Sequence, residues 1–112
     1  MGRTYDAAMT LPPTSPALLR DDTRPYFIWW MDLTVAEFRK ALRDPDPERR
    51  AYWMGALLRE ANTRDVWVFV TPADIREHWR LLQRHLGRSR PMWTWLLGLE
   101  ELPWPPPEAR GA

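Results

Sequence analysis

The side chains best suited to chemistry in this sequence are two histidines that fall on one predicted helix. His78 and His85 are seven residues apart, which corresponds to about 10.5 Å along a helix axis. Metal chelation by one helix uses a spacing of four residues and needs further ligands nearby. We therefore expect no metal site, and we interpret both histidines as helix-surface or boundary residues.

The acidic residues Asp44, Asp46 and Glu48 form a second candidate site. Neighbouring carboxylates can act as acid and base or hold a cation, but the two intervening prolines and the needs of a helix start account for all three. The sequence has no glycine-rich phosphate loop, nucleophile elbow or Ser–His–Asp order. It therefore predicts no catalytic residue and no cofactor, and we do not expect an enzyme.

The most basic stretch lies on a predicted helix in the second half of the chain. Arg76, Arg80 and Arg84 recur every four residues, and Arg88 and Arg90 follow. This arginine stripe is interpreted in three ways: a solvated face paired with nearby acids, a surface for an acidic protein, or a phosphate-binding face for nucleic acid. The formal net charge is only +1, and no aromatic platform interleaves the arginines, so nucleic-acid binding is the alternative hypothesis.

Aromatic residues are more abundant than so short a chain needs. The sequence has eight Trp, three Tyr and three Phe, and residues 26–31 form the continuous block Tyr-Phe-Ile-Trp-Trp-Met. Either the N-terminal arm folds back over this block, or part of it stays exposed as a protein interface. We favour the interface. The residues expected to bind a partner are Tyr26, Phe27, Trp29, Trp30, Trp93 and Trp95, with Arg76, Arg80, Arg84 and Arg88 as the charged part.

The elements that must position these residues are predicted to be helices. Thr34 and Glu37 form a capping box, Asp46-Pro47 and Thr71-Pro72 each place a cap before a proline, and Gly87 suits a left-handed helix end. The run at 66–70 has strand propensity, but a lone strand would find no pairing partner, so we favour a short helix over 65–70. The predicted longer helices cover 35–43, 48–61, 72–86 and 92–102.

These elements predict an all-α fold, a small bundle of stacked helical hairpins similar to HEAT repeats. Residues 1–25 and 103–112 are rich in proline, so we interpret them as an extended or disordered arm and a polyproline-like tail around a helical domain at 26–102. The sequence has no cysteine and no long apolar run, which favours a cytoplasmic protein without a membrane segment.

Short motifs distributed over about residues 24–97 resemble a family of small bacterial proteins. They are Arg24-Pro25-Tyr26-Phe27, Asp32-Leu33-Thr34, Glu37-Phe38-Arg39, Leu57-Leu58, Asp65-Val66-Trp67, Thr71-Pro72 and Ile75-Arg76. Members of this family are often encoded beside nucleotidyltransferase toxins of the abortive-infection (AbiEii) type. The resemblance implies an antitoxin or accessory subunit of a toxin–antitoxin system in phage defence, which binds the nucleotidyltransferase. It brings no catalytic residues with it. Self-association of the chain is the other way to cover the aromatic block.

Overall fold

The structure, a computed structural model, describes residues 11–99. In this range the chain forms five α-helices: α1 (Val35–Ala41), α2 (Pro47–Glu60), α3 (Thr63–Val66), α4 (Pro72–Leu82) and α5 (Arg90–Leu96). Three short 3-10 helices lie at Pro16–Leu19, Gln83–His85 and Gly87–Ser89. Residues 11–99 contain no strand, so the prediction of an all-α fold is confirmed. The HEAT-like stacking of hairpins stays a prediction.

The predicted helix starts are confirmed. The Thr34 hydroxyl accepts a hydrogen bond from the Glu37 amide, and the Glu37 carboxylate accepts one from the Thr34 amide at 2.8 Å. Asp46 caps the first turn of α2, and Thr71 and Asp74 form a second capping box in front of α4. Each device satisfies backbone donors that the first turn of a helix would otherwise leave unpaired.

The segment with strand propensity forms no strand, but it is helical only at its start, at Asp65 and Val66. A single helical turn forms at Thr63–Val66, slightly earlier than predicted, and the chain then continues as a turn. The Val70 amide still donates to the Val66 carbonyl at 3.1 Å. Local hydrogen bonds of this kind satisfy the backbone of the run without a partner strand.

The last two α-helices end well before the predicted residues, whereas α1 and α2 end within two residues of them. α4 stops at Leu82 and tightens into the 3-10 helix at Gln83–His85, although Gly87 has the predicted left-handed backbone, with φ of 54°. α5 stops at Leu96, and Gly98 follows with φ of 69°. Glycine adopts this conformation without the steric penalty of a side chain, so Gly98 ends a helix that was expected to reach Leu102.

α2 is the central helix of the fold. It contacts α1, α3, α4 and both 3-10 helices that follow α4. At Gly55 the helix packs so closely that a Cβ atom added there would lie 2.5 Å from the His85 Cβ. The largest fully buried apolar side chains of the core are Phe27, Val35, Phe38, Leu57, Val66, Ile75, Leu82, Leu86 and Trp93. Each contributes roughly 1.5–3 kcal/mol by leaving water.

Residues 11–25 pack against the helical domain, whereas the sequence predicted an extended or disordered arm. Within 11–25, Leu18 is buried and Thr14 donates to Asp65 from its amide (2.7 Å) and its hydroxyl (2.6 Å). Because the buried Asp65 carboxylate needs donors, it holds the segment against α3. Residues 1–10 and the tail at 103–112 lie outside the described range.

Candidate functional site

Four rings form a connected row at the surface: Trp29, Trp30, Trp53 and Tyr52. We call this row, together with the neighbouring Met31, the aromatic surface; Trp30 and Trp53 in it are half-buried, and the other three side chains are exposed. The Trp29 and Trp30 ring centroids are 5.3 Å apart and the rings are nearly perpendicular. Trp30 lies parallel to Trp53 at 6.4 Å, and Trp53 meets the edge of Tyr52 at 4.9 Å. Trp29 is 72 % exposed, Met31 47 % and Tyr52 37 %. Large apolar side chains therefore adjoin one another in contact with solvent.

The fold produces this row from two places in the chain. Phe27 and Ile28 enter the core from the segment before α1, whereas the next two residues lie at the surface. The Trp53 ring also meets Phe38 of α1, with centroids 6.4 Å apart. One ring thus links the aromatic surface to the core, and the contacts among the rings fix their positions although solvent reaches them.

Charged residues lie beside the aromatic surface. The Arg59 guanidinium lies 5.9 Å from the Trp30 ring centroid and donates to the His85 carbonyl at 2.7 Å. Arg84 pairs with Glu48, one helical turn before Tyr52, at 2.5 Å. An apolar centre with a polar border is the usual anatomy of a protein interface.

His85 packs under one end of the row. Its ring is edge-on to Tyr52, with centroids 5.7 Å apart, and its Nε2 atom is buried with no hydrogen-bond partner among residues 11–99. Burial, together with the nearby charges of Arg84 and Arg59, lowers the pKa of His85 below its usual 6.5. The ring is therefore neutral at physiological pH, and it supports the position of Tyr52 as an aromatic side chain.

Two residues expected to bind a partner are instead part of the core. Phe27 is 1 % exposed and packs against Phe38 and Phe69. Trp93 has no exposed surface, and its indole N–H donates to the Leu58 carbonyl at 3.0 Å. The prediction that these two rings contact a partner is wrong, because each fills space between helices that no pattern in the sequence reveals.

Of the other predicted aromatic residues, Tyr26, Trp29 and Trp95 are exposed and Trp30 is half-buried, and Tyr26 and Trp95 lie outside the row. Tyr26 is 50 % exposed, and its hydroxyl donates to Asp65 and accepts from the Asn62 amide, both at 2.7 Å. Partial burial is the main cause that raises the Tyr26 pKa. Trp95 is 56 % exposed on α5. Tyr26 therefore has a structural role at α3 as well as an exposed ring.

The arginine stripe is divided by the fold. Arg76 donates to the Leu97 carbonyl at 3.0 Å, and Arg84 pairs with Glu48. Arg80 and Arg88 are exposed, but α4 ends between them, so the spacing of four residues is lost. The stripe is thus partly an intramolecular pairing face, and nucleic-acid binding through it stays a prediction.

The acidic cluster serves the turn between α1 and α2. The Asp44 carboxylate accepts from the Asp46 amide at 2.9 Å, and the Asp46 carboxylate accepts from the Glu48 amide at 3.0 Å. These contacts are those of a turn followed by a helix cap. Among residues 11–99, no three His, Asp or Glu side chains are grouped so that they could hold a metal ion.

Sequence reasoning missed two members of the aromatic surface. Tyr52 and Trp53 were not among the residues expected to bind a partner, although Tyr52 is exposed and Trp53 is only half-buried. The one available signal is that these two rings are adjacent in a helix. Adjacent positions point about 100° apart, so both cannot face the centre of the core.

Comparison with known proteins identifies no relative. No family model matches the chain, and neither curated proteins nor solved structures give a match. The resemblance to small proteins encoded beside abortive-infection nucleotidyltransferases therefore stays a prediction. Between residues 11 and 99, every helix is too short or too polar to cross a membrane.

Proposed function

We propose that this chain is a non-catalytic protein-binding module and that the aromatic surface is its docking face. The observation that carries the proposal is the exposed row from Trp29 to Tyr52, in which ring contacts hold large apolar side chains in place before any partner arrives. Side chains already held in position lose little conformational entropy on binding, which favours affinity.

The composition of the row suits an interface anchor. Tryptophan and tyrosine are over-represented among residues that dominate binding energy, since each buries about 150–250 Å². Trp29, at 72 % exposure, has the most area left to cover. The exposed ion pair between Arg84 and Glu48 at the border would add orientation more than affinity.

The resemblance makes an abortive-infection nucleotidyltransferase the first partner to test, with this chain as its antitoxin or accessory subunit. Metal-dependent nucleotidyl transfer requires acidic residues in the catalytic pocket. The exposed Arg80 and Arg88 would face such acids, while the aromatic surface provides the apolar anchor. In this arrangement the bound chain covers or positions the active site of its partner.

The decisive experiment is co-expression with an abortive-infection nucleotidyltransferase, the partner that the resemblance implies. We expect a stable complex after purification, a solution mass equal to the sum of the two chains in a simple ratio, and reduced transferase activity. A chain that stays monomeric in the presence of the enzyme, and leaves its activity intact, would contradict both the partner and the antitoxin role.

Variants separate the docking face from the rest of the molecule. Trp29→Ala should weaken the complex by about tenfold or more, the loss expected for an interface anchor. Leu19→Ala is the matched control, because Leu19 is also exposed, at 60 %, but lies in the first 3-10 helix outside the aromatic surface. Equal affinities of the two variants would place the interface elsewhere.

A further inference from the structure

A second feature of the surface is a cleft between α1, α2 and the start of α4. Its volume is about 410 Å³, within the usual range for small-ligand sites. We call it the arginine cleft and define it by Arg39, Arg43, Arg50 and His78, which lie along it. Its apolar lining includes Leu42, Met54 and Phe69.

Two of the arginines are held in place by other groups. The Arg39 guanidinium lies over the Phe69 ring, 4.8 Å from the centroid. Arg50 donates to the Asp44 carbonyl at 2.8 Å and, through Nε, to the His78 ring at 3.3 Å. The other nitrogen of that ring donates to the Asp74 carbonyl at 2.8 Å. Neutral acceptors therefore orient these cations and leave their charges intact.

Carboxylates do not neutralise these arginines directly. Within residues 11–99, Arg39, Arg43 and Arg50 form no ion pair with an acid. Asp74 and Glu77 also line the cleft, but the Asp74 carboxylate accepts a hydrogen bond from the Thr71 amide, and neither carboxylate forms an ion pair with these arginines. A guanidinium without a carboxylate partner retains donors that match phosphate oxygens in pairs.

The cationic and acidic side chains lie on different sides of the cleft. Its cations come from α1, the residues just after it, and α2, whereas Asp74 and Glu77 come from α4. An anionic group must therefore bind on the α1 side. A second cleft of about 420 Å³ on the other side of Arg39 and Arg43 adds Lys40, so three cations of this region are close together.

Helix stability accounts for only part of this arrangement. Arg39 and Lys40 lie in the last turn of α1, where cations favour the negative end of the helix dipole. Arg50 belongs to the first half of a different helix, where that effect gives no reason for a cation. The helix dipole therefore does not explain why Arg50 lies along the same cleft.

We propose that the arginine cleft binds a small organic phosphate. The phosphate oxygens accept hydrogen bonds from Arg39 and Arg43, with Arg50 adding positive charge, and an apolar group attached to the phosphate packs against Met54 and Phe69. This site involves none of the residues of the aromatic surface. Phosphate binding at this cleft can therefore be tested independently of the docking function.

The test is a titration of the full chain with phenyl phosphate, followed by calorimetry and by the NMR signals of the arginine side chains. We expect saturable binding that moves the Nε–H signals of cleft arginines and leaves the signals of Trp29 unchanged. Benzylamine, a cation of similar shape, should not bind. Arg43→Ala should weaken phenyl phosphate by about tenfold, from loss of charge-assisted hydrogen bonds.

Arg43 is exposed and forms no ion pair within residues 11–99, so its removal should leave the fold intact. Arg88→Ala is the matched control, since Arg88 is also exposed but lies outside the cleft, and it should bind phenyl phosphate like the parent chain. The proposal is overturned by absence of binding at about 10 mM ligand, by equal loss in both variants, or by preferential binding of benzylamine.

Discussion

Phe27 and Trp29 are two residues apart, yet they belong to opposite parts of the molecule. Phe27 completes a triangle with Phe38 and Phe69, with ring centroids 5.2–5.7 Å apart, and is 1 % exposed. Trp29 touches its neighbour Trp30 at a similar distance, 5.3 Å, and is 72 % exposed. Similar ring contacts thus occur in the core and on the surface.

The difference lies in what surrounds the rings. In the Phe27 triangle, Phe27 and Phe38 are removed from water almost completely, and Phe69 is half-buried at the edge of the arginine cleft. In the aromatic surface the contacts fix ring positions and leave the outer faces uncovered. Ring–ring contact therefore indicates order, whereas the area removed from water determines how much a ring stabilises the fold.

The largest effect is expected from emptying the core triangle. Phe27→Ala should reduce the free energy of unfolding by about 3–5 kcal/mol, since it removes a buried ring and leaves a cavity. Urea denaturation followed by tryptophan fluorescence measures this loss. Phe27→Leu is the control and should retain most of the stability, and equal losses in the two variants would contradict the role of volume.

The next largest effect is expected at Gly55, where α2 packs against the 3-10 helix that contains His85. Gly55→Ala places a Cβ atom 2.5 Å from the His85 Cβ, so the 3-10 helix at Gln83–His85 must move away from α2. Overpacking of this kind should destabilise the fold by about 1–3 kcal/mol, measured by thermal unfolding. Because His85 contacts Tyr52, the tyrosine environment should change as well. An unchanged melting temperature would show that the two segments separate easily.

A smaller effect should appear as a dependence on pH. The lowered pKa of His85 means that the unfolded chain binds a proton more readily than the folded chain does. The free energy of unfolding should therefore fall as pH decreases below about 6.5, until the lowered pKa of the folded state is passed. In His85→Gln this contribution should disappear, which melting curves between pH 7.5 and 5.5 would detect. Parallel pH profiles of the two proteins would contradict it.

The smallest effect on stability is expected from the exposed end of the row. Trp29→Ala should change the free energy of unfolding by less than about 1 kcal/mol, because most of the ring is already in water. The same urea experiment as for Phe27→Ala measures it. A loss as large as that of Phe27→Ala would show that Trp29 is covered in solution, and the contrast between the two regions would not hold.

Helix starts were predictable because their signals are local. The Thr34 box and the Asp46-Pro47 and Thr71-Pro72 caps involve neighbours within four residues, and each forms as expected. Helix ends were less predictable. α5 ends at Leu96, and the left-handed Gly98 follows it, although apolar residues continue in the sequence at Leu99 and Leu102.

The sequence predicted that some aromatic residues would be exposed, but it did not identify which ones. The excess of rings correctly indicated that some would be exposed, and Trp29 is the most exposed of them. The burial of Phe27 and Trp93 followed from contacts across 11–42 positions of sequence, with Phe38, Phe69 and Leu58. The arginine cleft was missed for the same reason, since Arg39 and Arg50 converge only once α1 and α2 are packed.

The segment before α1 contributes to the start of that helix. The Val35 amide donates to the Thr23 carbonyl at 2.7 Å and the Ala36 amide to the Asp21 carbonyl at 3.1 Å, so an upstream loop supplies the first two acceptors. A helix of seven residues is far below the ~12–15 needed to persist alone in water. α1 is therefore not an autonomous unit. Detaching residues 11–25 should unwind it, and the two should protect their amides from exchange together.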